Sequence, residues 1–332
     1  MINMRTRASE TNRKSLLGLY HPPPTCYYLP RADNKTVALR PRRRGARNMH
    51  ISMWSSLFIA DEPEMMLAKL ASCGYRHLEL SFEHAYALLQ RPGTLAETAR
   101  AFAACAGDHG IAIEQSHLSF AYNPLEIDPV QRRNDLDCLK REIELSIRLG
   151  VKAAVLHAGS ARAAKAGLSA AQIDDLRTSS LQELAAAAEG SQLRLALENL
   201  RADLRYASEL KHVIRLTGCE KQIGICLDTG HLLLSGGDPV LFVREAGDAL
   251  IALHIADNLG RDDDHLFPFG GKASWYPFID ELRASNYSGL FNYEVPGESN
   301  FKAPQPIRDA ILMHKANYGY KLARMMLGDD PQ

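Results

Sequence analysis

Four apolar, strand-like runs in the second half of the chain each end in a side chain that can bind a metal ion. The end residues are Glu198, Asp228, His254 and Glu294. A strand buried on both faces normally consists of Val, Ile and Leu, and a buried carboxylate or imidazole is costly unless it is paired or coordinates a metal. The pattern therefore predicts a metal site built from strand ends. Three carboxylates and one imidazole form an oxygen-rich ligand set that suits Mn²⁺, Mg²⁺, Co²⁺ or Zn²⁺.

Further candidate site residues lie at other strand ends and in one loop. They are His117, His157, His231, Asp263, His265, Glu79 and Trp54. His117 and His157 are either core histidines with satisfied hydrogen bonds or members of the site. Asp263 and His265 are either part of a solvated, charged loop or metal ligands. Glu79 is either a pocket residue or one half of a structural pair, and Trp54 is expected in the wall of a pocket.

Strand-like and helix-like segments alternate along the chain from Met49 onward. The predicted strands are 50–54, 76–81, 111–117, 152–157, 193–198, 223–228, 250–255 and 289–294, and the predicted helices are 62–73, 95–108, 129–149, 169–189, 203–217, 238–247, 275–285 and 305–326. Strict alternation favours a parallel sheet. Eight such units in about 280 residues predict an α/β fold of the (β/α)8 TIM barrel type, in which active sites lie at the carboxyl ends of the strands.

The charge of the chain is unevenly distributed between its amino-terminal segment and the rest. Residues 1–48 hold eleven Lys/Arg and two acidic residues, so the remainder carries 28 basic and 37 acidic residues and a formal charge of −9. Proteins that bind nucleic acid usually carry a basic surface, and this acidic body argues against that class. No run approaches the roughly 18 apolar residues of a membrane span. We expect a cytoplasmic protein whose cysteines are reduced.

Three segments are expected. Residues 1–48 contain a Pro-rich stretch and a basic cluster without hydrophobic periodicity, which predicts a basic, disordered amino-terminal extension. An organelle transit peptide or a basic arm for nucleic acid are the alternatives for this segment. Residues 49–326 form the predicted barrel, and residues 327–332 form a carboxyl-terminal tail.

The order of the motifs resembles the xylose isomerase-like TIM barrel family, over roughly residues 49–326. This family includes the sugar phosphate isomerase/epimerase group and is related to the apurinic (AP) endonucleases of the endonuclease-four type. The motifs are His157-Ala-Gly, Leu197-Glu-Asn, Leu227-Asp-Thr-Gly-His, His254-Ile-Ala-Asp-Asn258, Asp262-Asp-Asp-His-Leu266 and Tyr293-Glu. The loop Phe267-Pro-Phe-Gly-Gly-Lys272 departs from the Gly-Glu-Gly turn that both branches often carry.

The resemblance implies roles for the candidate residues. In the epimerase branch one divalent ion is held by the residues that match Glu198, Asp228, His254 and Glu294, and the two glutamates transfer protons on either side of the substrate. His117, His157, His231, Trp54 and Glu79 would then contact the substrate. In the endonuclease branch extra metal ions are bound by the residues that match His117, His157, His231, Asp263 and His265.

The sequence thus predicts a metal-dependent sugar or keto-polyol isomerase or epimerase that works through an enediolate, with a role in carbohydrate metabolism. A zinc-dependent AP endonuclease, a dehydratase on the same fold and a barrel that only binds a polyol are the alternatives. The expected partner is a small sugar or polyol, and neither a membrane nor nucleic acid is expected. Self-association is left open. The number of metal ions per chain separates the two main hypotheses, since one ion indicates the isomerase and three indicate the nuclease.

Overall fold

The computed structural model describes residues 49–297 and 302–328. Eight strands lie in these ranges: β1 (His50–Trp54), β2 (His77–Leu80), β3 (Ala112–His117), β4 (Ala153–Leu156), β5 (Arg194–Glu198), β6 (Ile223–Asp228), β7 (Leu250–His254) and β8 (Leu290–Tyr293). All eight coincide with predicted strands to within about two residues. The predicted extension 1–48 lies outside the described residues, as do positions 329–332 of the predicted tail, so these segment boundaries stay predictions.

All eight strands are parallel and form one sheet in the order β7-β6-β5-β4-β3-β2-β1-β8. A parallel bridge between Ile255 and Tyr293 joins the two outer strands, and the Ile255 amide donates to the Asn292 carbonyl at 2.8 Å. The sheet therefore forms a nearly closed barrel, and the chain has the predicted (β/α)8 TIM barrel fold. The carboxyl ends of the strands meet at one end of this barrel, which we call the mouth.

Eight helices cover the outside of the barrel close to their predicted positions. They are α1 (Pro63–Ser72), α3 (Leu95–Asp108), α4 (Pro129–Leu149), α6 (Ala170–Ala187), α7 (Ala207–Thr217), α9 (Pro239–Ala246), α10 (Trp275–Ala284) and α11 (Gln305–Leu327). Three short helices were not predicted: α2 (Phe82–Leu89), α5 (Ala161–Lys165) and α8 (Thr229–Leu234). The short helices follow β2, β4 and β6: α2 and α8 begin within two residues of the strand end and α5 begins after a short loop, so all three lie around the mouth.

Local sequence signals explain where the long helices begin and end. Asp128 accepts hydrogen bonds from the Val130 and Gln131 amides at the start of α4, and proline follows it at the first helical position. Both features satisfy amide groups that have no partner inside the helix. Gly150 ends the same helix with a φ of 79°, a left-handed conformation that glycine adopts without steric cost.

The apolar core has two parts, one inside the barrel and one around it. The larger part lies between the sheet and the helices and includes Leu78, Leu156, Leu197 and Phe291. The smaller part consists mainly of short side chains: Ala153, Val155, Ala196, Cys226 and Ala252. Because short side chains fill the barrel interior, the polar groups at the mouth rest on a closely packed floor.

The cysteines of the described ranges are all free thiols. Within residues 49–297 and 302–328, no helix is long and apolar enough to cross a membrane.

Candidate metal centre

The period-two geometry of a strand explains how the sequence delivers the predicted ligands to the mouth. Side chains two residues apart along a strand point to the same face. The interior residues Ala196, Cys226 and Ala252 are each followed two positions later by a predicted ligand. These ligands are Glu198, Asp228 and His254. Each is therefore directed toward the barrel axis at the last position of its strand.

The four predicted metal ligands form one buried cluster. Glu198, Asp228, His254 and Glu294 each place one ligand atom so that all four atoms lie within 4.8 Å of one another. His254 Nδ1 lies 3.4 Å from both Glu198 Oε2 and Glu294 Oε2, and 4.0 Å from Asp228 Oδ2. His254 and Asp228 are fully buried, and both glutamates are at most 5% exposed. The cluster is consistent with a divalent metal site.

Unpaired atoms in this cluster show that it fits a cation. Asp228 Oδ2, His254 Nδ1, Glu198 Oε1 and Glu294 Oε2 are buried and have no hydrogen-bond partner within the described ranges. A buried polar atom without a partner costs about 1–3 kcal/mol, and more when it is charged. Each of the four residues thus has one such atom, and the four residues place ligand atoms within 4.8 Å of one another, an arrangement that a positive ion would stabilise.

The surrounding imidazoles and carboxylates shift the pKa values of the two glutamates in opposite directions. Burial opposes ionisation of Glu198, but His157, His254 and His117 outweigh it and hold its pKa well below the usual value. Burial, reinforced by the charges of Asp228 and Glu198, raises the pKa of Glu294 well above its usual value although His254 opposes this. Two neighbouring carboxyl groups with separated pKa values suit acid–base chemistry.

His117 and His157 both contact the carboxylate of Glu198. The distances from Glu198 Oε2 are 3.4 Å to His117 Nε2 and 3.0 Å to His157 Nε2. His117, Glu198 and His254 also form a second group whose ligand atoms lie within 4.8 Å of one another. His117 Nδ1 lies 2.8 Å from the Leu118 carbonyl oxygen, which can only accept, so Nδ1 carries a hydrogen and Nε2 faces the cluster.

A third group of candidate ligands lies beside the four-residue cluster. Asp263 Oδ2 lies 2.9 Å from His231 Nε2 and 3.5 Å from His265 Nε2. His231 Nδ1 lies 2.9 Å from the Asn199 carbonyl and His265 Nδ1 lies 2.9 Å from the Glu294 carbonyl, so both rings direct Nε2 toward Asp263. His265 has a φ of 45°, a strained conformation of the kind that clusters at functional sites. All predicted site residues of this loop therefore reach the mouth.

An aromatic wall borders the histidine side of the mouth. The Trp54 ring lies 6.0 Å from the ring of His117, and Phe120 stacks on His157 at 5.7 Å with an interplanar angle of 16°. Phe82 packs edge-on against Phe120 at 4.5 Å. Trp54 was predicted as a pocket wall, whereas Phe82 and Phe120 were not singled out. Their positions depend on α2 and on the loop after β3, whose conformations the sequence pattern does not encode.

Glu79 lies below the mouth, against one of the predicted ligands. Its side chain is fully buried. Glu79 Oε1 lies 2.9 Å from His254 Nε2, and Glu79 Oε2 accepts a hydrogen bond from Asn292 Nδ2. Glu79 was predicted to contact the substrate, but both of its carboxylate oxygens contact protein groups.

Two further side chains, those of Asn199 and Asp257, stabilise the backbone of the mouth. The sequence analysis assigned neither of them a role. Asn199 Oδ1 accepts from the Asp228 amide at 2.7 Å, and its Nδ2 donates to the Asp228 carbonyl at 3.0 Å, which fixes the end of β6. Asp257 accepts hydrogen bonds from the amides of Gly271 and Ala273 and from Trp275 Nε1. The motif positions of both residues were noted, but spacing alone does not reveal which backbone groups a side chain will bind.

Comparisons with known proteins agree with this architecture. The family model described as "Xylose isomerase-like TIM barrel" matches residues 67–317. The chain therefore belongs to the xylose isomerase-like TIM barrel family.

Two curated relatives match this chain at low sequence identity and over only part of their length. The uncharacterized protein y4fM of Sinorhizobium fredii is 28% identical over 180 residues, which are 50% of this chain and 54% of that protein. A probable endonuclease 4 of Solibacter usitatus is 28% identical over 181 residues, 50% of this chain and 59% of that protein. The matched part of this chain thus spans little more than half the length of these relatives.

A solved structure of a D-psicose 3-epimerase, determined in the presence of D-fructose, has a TM-score of 0.68 and 18% identity over 84% of this chain and 100% of that one. At this level of identity the likeness concerns the fold alone.

Proposed function

We propose that this protein is a divalent-metal-dependent isomerase or epimerase of a sugar or keto-polyol that works by proton transfer through an enediolate. The observation that carries the proposal is the buried cluster at the mouth. In it, Glu198 Oε2 and Glu294 Oε2 each lie 3.4 Å from His254 Nδ1, and Asp228 places a ligand atom within 4.8 Å of the others. The family, and the epimerases among the structures with the same fold, support this choice.

The residues of the cluster have distinct tasks in the proposed reaction. Glu198, Asp228, His254 and Glu294 would hold one divalent ion, which supplies a positive charge for the carbonyl and hydroxyl oxygens of the substrate. Glu198 Oε2 and Glu294 Oε2 each lie 3.4 Å from His254 Nδ1, so both carboxylates would border the bound substrate. One of them can remove a proton from the carbon next to the carbonyl and the other can return one.

Other mouth residues would bind and orient the substrate. His231 links the metal cluster to the loop that carries Asp263. Its Nδ1 lies 3.1 Å from Glu198 Oε1, and its Nε2 lies 2.9 Å from Asp263 Oδ2. Trp54 and Phe120 supply an apolar wall against which the C–H face of a sugar can pack, while water is excluded from the reacting carbon.

Solvent isotope incorporation tests the proposed chemistry. The metal-loaded protein is incubated in D₂O with ketoses that include D-psicose, D-tagatose, D-fructose and L-ribulose, and products are analysed by NMR. The proposal expects deuterium at the carbon next to the carbonyl. Glu198→Gln and Glu294→Gln should each lower turnover by about 10²–10⁴-fold at saturating metal. Glu114→Gln is the control and should retain turnover, because Glu114 pairs with His77 and Lys152 away from the mouth. Conversion without deuterium would contradict the enediolate mechanism.

A phosphodiesterase that acts on damaged DNA is the second candidate function. The observation that favours it is the convergence of all nine nuclease-like positions, since His117, His157 and the His231–Asp263–His265 group surround the four-residue cluster. A probable endonuclease 4 is among the matched relatives. The formal charge of −9 outside residues 1–48 opposes binding of a phosphate backbone.

Metal content separates the two functions directly. Elemental analysis of the purified protein should give one ion per chain for the isomerase and three for the nuclease. Cleavage of a duplex that contains a single abasic site, together with three ions per chain, would replace the first proposal by the second.

A further inference from the structure

A buried carboxylate beneath the mouth has no part in the proposed chemistry. Glu79 is fully buried, and its two oxygens contact His254 Nε2 and Asn292 Nδ2. We propose that Glu79 is a positioning residue that fixes the ring of His254 and strengthens it as a ligand, and thereby sets the affinity of the mouth for a divalent cation. The inference rests on the proposed metal-dependent function.

The contact with Glu79 determines which nitrogen of His254 faces the cluster. A carboxylate oxygen can only accept a hydrogen bond, so the hydrogen lies on His254 Nε2, which donates to Glu79 Oε1 over 2.9 Å. His254 Nδ1 is then left to face the oxygens of Glu198 and Glu294, each 3.4 Å away. Nδ1 is also one of the buried atoms without a hydrogen-bond partner.

His254 is held differently from three other histidines of the mouth. His117, His231 and His265 each have Nδ1 beside a neutral backbone carbonyl oxygen. His254 instead donates to a carboxylate, and such a charge-assisted bond is stronger than a neutral one. A negative partner also makes the opposite ring nitrogen more basic, which improves it as a metal ligand. The one imidazole of the four-residue cluster therefore has a charged partner on the ring nitrogen that faces away from the cluster.

The Glu79 carboxylate is itself held in place by a buried chain of hydrogen bonds. Ser52 Oγ donates to Asn292 Oδ1 at 2.8 Å, and Asn292 Nδ2 donates to Glu79 Oε2. Ser52, Asn292, Glu79 and His254 are all fully buried. With the Asn292 amide turned over, a neutral glutamine could hold both His254 and Asn292 without the cost of burying another negative charge among acidic groups. The charge is thus better explained by a cation above it than by the stability of the barrel.

The substitution Glu79→Gln isolates the charge from the hydrogen bonds. The glutamine oxygen can still accept from His254 Nε2, and its amide can donate to Asn292 if the amide of Asn292 turns over. Ser52 tolerates that turn because a hydroxyl both donates and accepts. Metal-free Glu79→Gln should therefore fold and melt within a few degrees of the wild type.

Titration calorimetry with Mn²⁺ and Co²⁺ on chelator-treated protein measures the predicted effect. Glu79→Gln should bind about 10–100-fold more weakly than the wild type, the range found for supporting groups of metal-bound histidines. The matched control is Glu114→Gln, because Glu114 Oε2 pairs with His77 Nδ1 at 2.6 Å in a second carboxylate–histidine pair away from the mouth. This control should leave metal affinity unchanged.

The outcomes distinguish this inference from the proposed function. Wild-type protein that binds none of the ions would overturn both. Metal binding by the wild type, with the same affinity in Glu79→Gln, would overturn the role of Glu79 alone.

A measurement on the wild type covers the case in which the variant does not fold. In the Zn²⁺-loaded protein, the nitrogen chemical shifts of His254 should show hydrogen on Nε2 and metal on Nδ1. The reverse assignment would contradict the role of Glu79.

Discussion

At the scale of single residues, the mouth combines groups that serve the fold with groups that only a ligand can satisfy. Asp228 does both. Its Oδ1 accepts from the His231 amide at 2.6 Å and so caps helix α8, while its Oδ2 is buried without a hydrogen-bond partner. A substitution that removes the whole carboxylate would therefore damage a helix start as well as the candidate metal site.

The variant Asp228→Asn separates these two tasks. Asparagine is as good a helix cap as aspartate, but its side chain is a far weaker ligand for a divalent ion. We expect metal affinity to fall by more than about 100-fold, beyond the loss seen for supporting groups, with the melting temperature of the metal-free protein within a few degrees of wild type. Asp238→Asn is the control, since Asp238 caps α9 by accepting from the Val240 amide. Full metal content in Asp228→Asn would remove Asp228 from the ligand set.

A second residue-scale consequence concerns Glu142, a carboxylate buried in α4. Burial raises the pKa of Glu142 to about 7, although it accepts a hydrogen bond from the Ser119 amide at 2.7 Å. Because the folded-state pKa exceeds the unfolded value, the folded protein binds this proton more tightly. The resulting stabilisation is complete below the unfolded pKa and is lost as the pH rises through about 7.

Replacement of Glu142 by glutamine should remove this pH dependence. The free energy of unfolding of Glu142→Gln, relative to wild type, should rise between about pH 4.5 and pH 7, by up to about 3 kcal/mol at the top of the window. Urea denaturation at several pH values measures the difference. A difference that stays constant across this window would show that Glu142 is ionised equally in both states.

At the scale of elements, the sequence predicted the strands, the long helices and the residues at the strand ends, but it did not predict the short helices. Strands such as β4 and β6 were recognisable because a parallel, doubly covered strand is largely apolar. Helices α2, α5 and α8 were not predicted, since they have eight, five and six residues and are too short for a helical period. His157 and Glu294 lie one residue beyond β4 and β8, yet their direction still follows the strands.

The loop after β7 shows an element whose shape depends on contacts that sequence spacing does not reveal. The Asp257 carboxylate stabilises this loop because it accepts hydrogen bonds from two backbone amides of the loop and from the indole N–H of Trp275. Gly271 passes so close that a Cβ there would overlap the Asn258 carbonyl and the Asp257 carboxylate. The loop lacks the Gly-Glu-Gly turn that is frequent in the family. Its hydrogen bonds to Asp257 stabilise it instead.

The substitution Gly271→Ala tests this support. Steric overlap with backbone should cost about 1–3 kcal/mol and displace the loop that carries His265. Gly107→Ala is the control, since Gly107 lies in α3 with no heavy atom near its missing Cβ. Alanine there should be neutral or stabilise by up to about 1 kcal/mol. Equal melting temperatures for Gly271→Ala and wild type would show that the loop can shift without loss.

At the scale of the whole molecule, the barrel and the candidate metal centre have separate sources of stability. The large apolar cluster lies between the sheet and the helices, whereas the four predicted ligands lie at the mouth. The acidic groups converge at one end of a core that is already closed by β8 and the Ile255–Tyr293 bridge. The fold thus positions buried carboxylates that destabilise one another until a cation is present, a cost that the rest of the core outweighs.

Removal and return of metal should reveal this separation. Chelator-treated protein should keep the far-ultraviolet circular dichroism of a folded barrel. Adding Mn²⁺, Co²⁺ or Zn²⁺ at about 100 times its dissociation constant should stabilise the fold by about 2.7 kcal/mol, which raises the melting temperature by about 5 °C in a domain of this size. The variant Asp228→Asn should show no such rise at the same concentration. Unfolding on chelation would mean that the metal is part of the core, and an unchanged melting temperature with all three ions would mean that the mouth does not hold a divalent cation.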